Sequence, residues 1–213
     1  MKKADTTKML SEMFCNNHTG KMNGLQSLSS ACTENQYCKA RAKNKDLVCS
    51  HCFSMTMQKR YKTLTAKLQR NSEILQNEIF PVDVWPRVNA AIFRLEAFGD
   101  LANETQCINY FNLCKRNPET SFSLWTKNPF IIDRVLKAGE TKPKNLIVIF
   151  SSPCLNKASE KVFERFSFVD KIFTVYDKDH AGSVNVNCGA RSCNDCRRCY
   201  SKRTGKVVNE LLK

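Results

Sequence analysis

The sequence predicts an α/β protein with a mainly parallel sheet, a partial (βα)5-6 barrel followed by a cysteine-rich C-terminal extension. Three observations predict it. From about residue 55 onward, helical and strand-like patterns alternate, which implies right-handed βαβ crossovers. The polar residues fall at the carboxyl ends of the predicted strands, where parallel α/β folds gather their ligands. Eight of the twelve cysteines form two groups, one after the first predicted strand and one after the last.

Leu25 to Ser29 supplies the first strand, just before the first cysteine group. Met57, Tyr61, Leu64, Leu68 and Leu75 recur at helical spacing, with Lys59, Arg60, Lys62, Lys67 and Arg70 on other faces. The apolar run Ala90 to Leu95 suits a buried strand that ends at Glu96-Ala97-Phe98-Gly99-Asp100. A helix begins after Asn103, a good N-cap, and places Cys107, Tyr110, Phe111 and Cys114 on one stripe. These two cysteines read as core packing, because a free cysteine behaves as a small hydrophobe. Ser121 to Trp125 is the next strand, and Asn128-Pro129 opens a helix whose inner face is Ile131, Ile132, Val135 and Leu136. Gly139 suits its end. Asn145 to Phe150 is the clearest buried strand, followed by a short helix between about Ser159 and Phe166 and a strand from Lys171 to Tyr176. The expected division is residues 1–180 as the barrel and 181–213 as a metal-binding extension packed on it.

The strand ends then share one rim: Cys32; Glu96 and Asp100; Thr126, Lys127 and Asn128; Ser151 and Ser152; Asp177, Lys178 and His180. The first cysteine group is Cys32, Cys38, Cys49 and Cys52. The second, Cys188, Cys193, Cys196 and Cys199, reads C-x4-C-x2-C-x2-C. Three thiols at successive three-residue steps converge on one small inorganic centre, as in ferredoxin-type runs, which points to one or two [4Fe–4S] clusters. Zinc is the alternative occupant, since CxxC pairs also supply half of a tetrahedral site. A hydrolase or nuclease would need carboxylate or histidine ligands, and a chain with only His18, His51 and His180 argues poorly for one.

The opening MKKADTTKML lacks a signal-peptide core, and no apolar run approaches the ~18 residues of a membrane span. The expectation is a cytoplasmic protein that meets no membrane, where reducing conditions favour metal ligation over disulfides. With 42% apolar residues and 13 Phe, a substantial core is expected. The formal charge of +14 falls to near +10 if two four-thiolate centres each contribute about −2. That balance favours polyanionic partners, nucleic acid first. Arg191, Arg197, Arg198, Lys202, Arg203 and Lys206 are interleaved with the last cysteine group.

Two resemblances bear on this reading. A cluster held by three cysteines after the first strand of a partial barrel resembles radical SAM enzymes. Their signature is C-x3-C-x2-C, whereas Cys38, Cys49 and Cys52 stand at x10 and x2 with Cys32 ahead of them. The resemblance implies that Cys38, Cys49 and Cys52 hold the cluster and that S-adenosylmethionine (SAM) chelates its free iron. It also implies that the acidic segment Glu96 to Asp100 meets the SAM amino group. With Gly99, Thr126, Lys127 and Ser151, those acids make up the expected cofactor-binding set. The C-terminal four-cysteine group is similar to the auxiliary clusters of such enzymes.

More closely, the chain resembles the phage "gene product 88" family of cysteine-rich proteins. The resemblance rests on Thr19-Gly20-Lys21-Met22, Cys49-Ser50-His51-Cys52-Phe53, Phe93 through Leu101, Leu124 to Pro129 and Cys193 to Tyr200. It implies a phage or mobile-element origin, hence host cytoplasm, and an iron–sulfur centre, but supplies no reaction. The expected function is an iron–sulfur protein of radical-SAM-like construction acting on nucleic acid or a nucleotide. The alternative is a non-enzymatic nucleic-acid-binding protein with structural iron–sulfur or zinc centres. If Cys32 is a fourth ligand, the rim iron is closed and SAM chemistry is excluded.

Overall fold

The computed structural model describes residues 2–17, 19–189 and 192–212. His18 and Arg191 lie outside the described residues. The elements run α1 Lys3–Glu12, β1 Cys15–Asn16, β2 Gln26–Leu28, α2 Gln36–Ala42, α3 Phe53–Arg60, α4 Lys62–Asn77, β3 Ile92–Leu95 and α5 Glu104–Arg116. They continue with β4 Ser121–Thr126, α6 Pro129–Lys137, β5 Leu146–Ser151, α7 Lys161–Arg165, β6 Lys171–Tyr176, α8 Lys178–Ala181, α9 Cys193–Cys196 and β7 Val207–Leu211. The fold is α/β, with one seven-stranded sheet in the order β1 to β7. β1 pairs antiparallel with β2, and every pairing from β2 to β7 is parallel.

Sequential parallel order gives the sheet two different faces. On one, Phe93, Leu95, Phe122, Leu124, Leu146, Val148 and Ile172 join the main core with Tyr110, Phe111, Ile131 and Ile132 from the helices. Cys107 and Cys114 are fully buried in that core, as their helical stripe predicts. Alternation sends Arg94, Ser123 and Ile147, which share one register row, to the opposite face. There the C-terminal segment takes the place of helices: Tyr200, Cys193 and Cys199 pack with Leu25 and Ile92.

The sheet is open, because among the described residues β7 does not pair back onto β1 or β2. Side chains bridge the gap instead. Lys21, between β1 and β2, donates to Glu210 Oε1 of β7 at 2.5 Å and to the Cys188 carbonyl at 3.0 Å. Asn194 Nδ2 donates to the Asn23 carbonyl at 3.0 Å. The free edge of β7 is covered by residues 185–188, where Asn187 and Cys188 both donate backbone N–H groups to the Asn209 carbonyl. β7 itself was hidden by its cysteine-rich surroundings, and the expected division at residue 180 falls between two neighbouring strands of this sheet.

One helix expected across Met57 to Leu75 is two. Tyr61 is extended, with φ −117° and ψ 99°, and separates α3 from α4. Thr65 Oγ1 donates to the carbonyl of Gln58 in the last turn of α3, giving that carbonyl a side-chain partner where no glycine or proline marks a break. The break frees α3 to aim Ser54 and Gln58 at the first cysteine group. Among the described residues no helix is long and apolar enough to cross a membrane.

Candidate cysteine sites

β2 delivers Cys32 to the rim through the buried run Ser29 to Ala31. Cys32 is itself buried: its Sγ accepts from Gln58 Nε2 at 2.9 Å and lies 3.4 Å from Ser54 Oγ. Cys38 rides on α2, which Asn35 caps by accepting from Tyr37 N at 2.9 Å and Cys38 N at 3.4 Å. The same Asn35 donates Nδ2 to the carbonyls of Asp100 and Leu101, tying α2 to the loop after β3. Tyr37 OH donates to the Lys127 carbonyl after β4 at 2.6 Å, and Val48 N donates to the Pro153 carbonyl after β5 at 2.9 Å. The cysteine segment is thereby pinned across the ends of β2 to β5.

Cys52 is the N-cap residue of α3. The Cys32 thiol donates to it, and the backbone N–H groups of Met55 and Ser54 add to the effect, holding the Cys52 thiol down at about 6. Cys32 is correspondingly pushed far up, first by that shared hydrogen bond and then by burial. Burial raises Cys38 and Cys49, against the pull of the Lys127 ammonium. The four thiols thus hold one anion readily and resist further ionisation without a counter-charge.

The expected cofactor-binding residues Glu96, Gly99, Asp100, Thr126, Lys127 and Ser151 are gathered at the same strand ends. Glu96 sits at φ 58°, a left-handed conformation, and is buried. Its oxygens accept from Ser30 N at 3.2 Å, Ser30 Oγ at 2.9 Å, Gln106 Nε2 at 2.6 Å and the Tyr110 hydroxyl. Burial raises its carboxyl to about 7 despite those donors. Asp100 accepts from Thr126 Oγ1 at 2.5 Å, Lys127 N at 2.9 Å and Leu101 N at 2.8 Å. Lys127 Nζ donates to Ser151 Oγ at 3.0 Å. Both carboxylates are therefore committed to internal donors, and they shape the loop between β3 and α5. At the far end of the rim, Asp177 caps α8 and binds His180 and Asn156.

The second group lies on the other face of the sheet. Cys188, Cys193, Cys196 and Cys199 line one hollow of about 40 Å³, together with Lys21, Arg94, Trp125 and Tyr200. That exceeds the roughly 10–15 Å³ a single water requires. Lys21 Nζ lies 3.7 Å from Cys188 Sγ. Arg94 lays its guanidinium 4.2 Å from the Trp125 ring centroid, and its buried Nε has no hydrogen-bond partner among the described residues. Burial raises Cys199 to about 12, opposed by the charge of Arg94. Neither Lys21 nor Arg94 was read from the sequence as part of this site. Thr19-Gly20-Lys21-Met22 carried the only signal, as a stretch of the family resemblance.

Among the described residues no three His, Cys, Asp or Glu side chains stand where they would hold a single metal ion. The donor chemistry nevertheless suits an anionic centre at both places. Among the described residues, the hollow presents four cations (Lys21, Arg94, Arg197 and Arg198) and two buried N–H groups without a partner, Nε of Arg94 and Nε of Arg198, to four thiols, and a cluster with four thiolates carries net negative charge. At the rim, N–H···S donors converge on Cys32 and Cys52, the kind of bond that tunes a cluster's potential.

No curated protein and no solved structure matches the chain. A family model described as Gene product 88 matches residues 2–209. With nearly every element of the sheet and both cysteine groups inside that match, the chain belongs to the Gene product 88 family.

Proposed function

We propose that the chain is an iron–sulfur protein built like a radical SAM enzyme, acting on nucleic acid or a nucleotide. The observation that carries the reading is the position of Cys38, Cys49 and Cys52. They lie at the carboxyl-end rim, on the segment that follows the first of six sequentially ordered parallel strands. These three would hold a rim cluster, and Cys188, Cys193, Cys196 and Cys199 a second, closed one.

When bound to the rim cluster, SAM would supply reductive cleavage of its sulfonium and hydrogen abstraction from a substrate. The chain's own residues position and insulate. Gln58 and Ser54 hold Cys32 behind Cys52. Lys127, fixed by Ser151, offsets thiolate charge. Glu96 and Asp100 act as positioning residues, since their oxygens are taken by internal donors. The SAM ammonium would then meet other groups than these two carboxylates. The formal charge of +14 supports a polyanionic substrate.

A second reading has its own observation: Cys32 is buried against α3, the helix that Cys52 opens, with its Sγ 2.9 Å from Gln58 Nε2 and 3.4 Å from Ser54 Oγ. As a fourth ligand it would close the cluster and leave a structural or electron-transfer role. Iron and sulfide analysis of single variants separates the two. Cys38→Ala, Cys49→Ala and Cys52→Ala are each expected to lose about half of about eight irons per chain. Cys32→Ser, which keeps a polar partner for Gln58, retains them if the cluster is open and loses the same half if it is closed. Zinc without sulfide in the unmutated protein would overturn both iron readings.

A further inference from the structure

The segment that carries the rim thiols also carries a surface unlike the rest of the rim. Residues 36–62 contain seven basic side chains (Lys39, Arg41, Lys43, Lys45, Lys59, Arg60 and Lys62) against one acidic side chain, Asp46. Exposed aromatic rings lie among them. Phe53, directly after Cys52, is 66% exposed, far beyond what a core or packing role needs, and Tyr61 is 44% exposed. The Phe53 ring stacks against Phe98 of the loop after β3, with centroids 6.4 Å apart and planes 22° from parallel, leaving its outer face free. Two guanidinium groups lie over tyrosine rings: Arg41 at 4.5 Å from Tyr37 and Arg60 at 5.5 Å from Tyr61.

We infer that residues 36–62 form a binding site for single-stranded nucleic acid, with Phe53 and Tyr61 as stacking platforms and the surrounding lysines and arginines on phosphates. Two independent features select this ligand. A dense positive charge selects a polyanion. Free aromatic faces select unpaired bases, because bases stacked within a duplex offer only their edges. Stacking on Phe53 sets a base beside Cys49 and Cys52, so this inference deepens the proposed function and rests on it for the chemistry. The binding itself uses no metal.

The test is fluorescence anisotropy of labelled oligothymidylate and oligouridylate with the full chain, from low to physiological salt, alongside iron analysis of the same samples. Phe53→Ala is expected to weaken binding about tenfold or more, the usual effect of losing one stacking platform. It should leave the melting temperature unchanged, since that ring is largely in solvent. The pair Lys59→Ala and Arg60→Ala is expected to flatten the log–log salt dependence by about 0.7 for each phosphate no longer neutralised. Equal affinity of Phe53→Ala and the unmutated chain would overturn the inference, as would tighter binding to duplex. Dimerisation abolished by Phe53→Ala, without binding to either oligonucleotide, would assign the surface to a second copy of the chain. Anaerobically purified protein that binds the oligonucleotides but holds no iron and sulfide would sink the iron–sulfur reading and leave this site standing. Iron present with no binding would do the reverse.

Discussion

Gly99→Ala is expected to destabilise the fold by roughly 3–5 kcal/mol, at the severe end of single substitutions. A Cβ at this position would lie 2.4 Å from Glu96 Oε2, 2.5 Å from the Ser30 carbonyl oxygen and 2.6 Å from Ser30 Oγ. None of these atoms can give way cheaply. Glu96 is held by donors from Ser30, Gln106 and Tyr110, and Ser30 is part of the buried run that leads β2 to Cys32. Moving the carboxyl aside strips several buried donors of their acceptor, each at about 1–3 kcal/mol. Gly205→Ala is the matched control, because nothing lies within 4 Å of a Cβ there. Denaturant unfolding of the two variants should therefore separate widely. Equal midpoints would show that the Ser30–Glu96–Gly99 contact does not hold the rim.

The second large effect concerns the open seam of the sheet. With a metal centre in the second cysteine group, α9 and the segment 185–188 would be bound to one point, fastening β7 to the Lys21 turn beside β2. Cys196 is the informative ligand, since it is exposed and its removal costs little packing. In metal-loaded protein, Cys196→Ala is expected to speed amide exchange of β7 and residues 185–188 by at least about tenfold, or about 1.4 kcal/mol of local opening. It should lower the melting temperature by several degrees as well, because a structural metal contributes folding energy directly. After chelation the variant and the unmutated chain should exchange alike. Unchanged exchange in the loaded variant would mean that Lys21–Glu210 and Asn194–Asn23 hold the seam by themselves.

Much of the molecule was legible because its strands are short apolar runs bounded by good caps. Asn103 caps α5 through Gln106 N, and Pro129 opens α6, as their side chains and ring predict. The rim was legible too, because parallel order forces every strand end to one edge of the sheet. Other features were set by tertiary contacts that leave no local mark. Tyr61 breaks a continuous apolar stripe so that Gln58 can meet Cys32. Arg94 sits within the run Ala90 to Leu95 that reads as a buried strand, and only register places it over Trp125 beside the second cysteine group. β7 follows a run of cysteines and basic residues, so its Val207-Val208 pair was absorbed into an extension. The acidic segment looked like a ligand site because sequence shows charge and position but not donors. Only the fold shows that Ser30, Gln106, Tyr110 and Thr126 already occupy both carboxylates.

The most direct test of the central claim is EPR of reduced, anaerobically purified protein before and after addition of SAM, read with iron and sulfide content. The account predicts about eight irons and a signal that shifts with SAM, the behaviour of one open and one closed cluster. Iron with sulfide but no response to SAM would contradict the open rim cluster and make both centres closed. Zinc with no sulfide would contradict the iron–sulfur assignment itself.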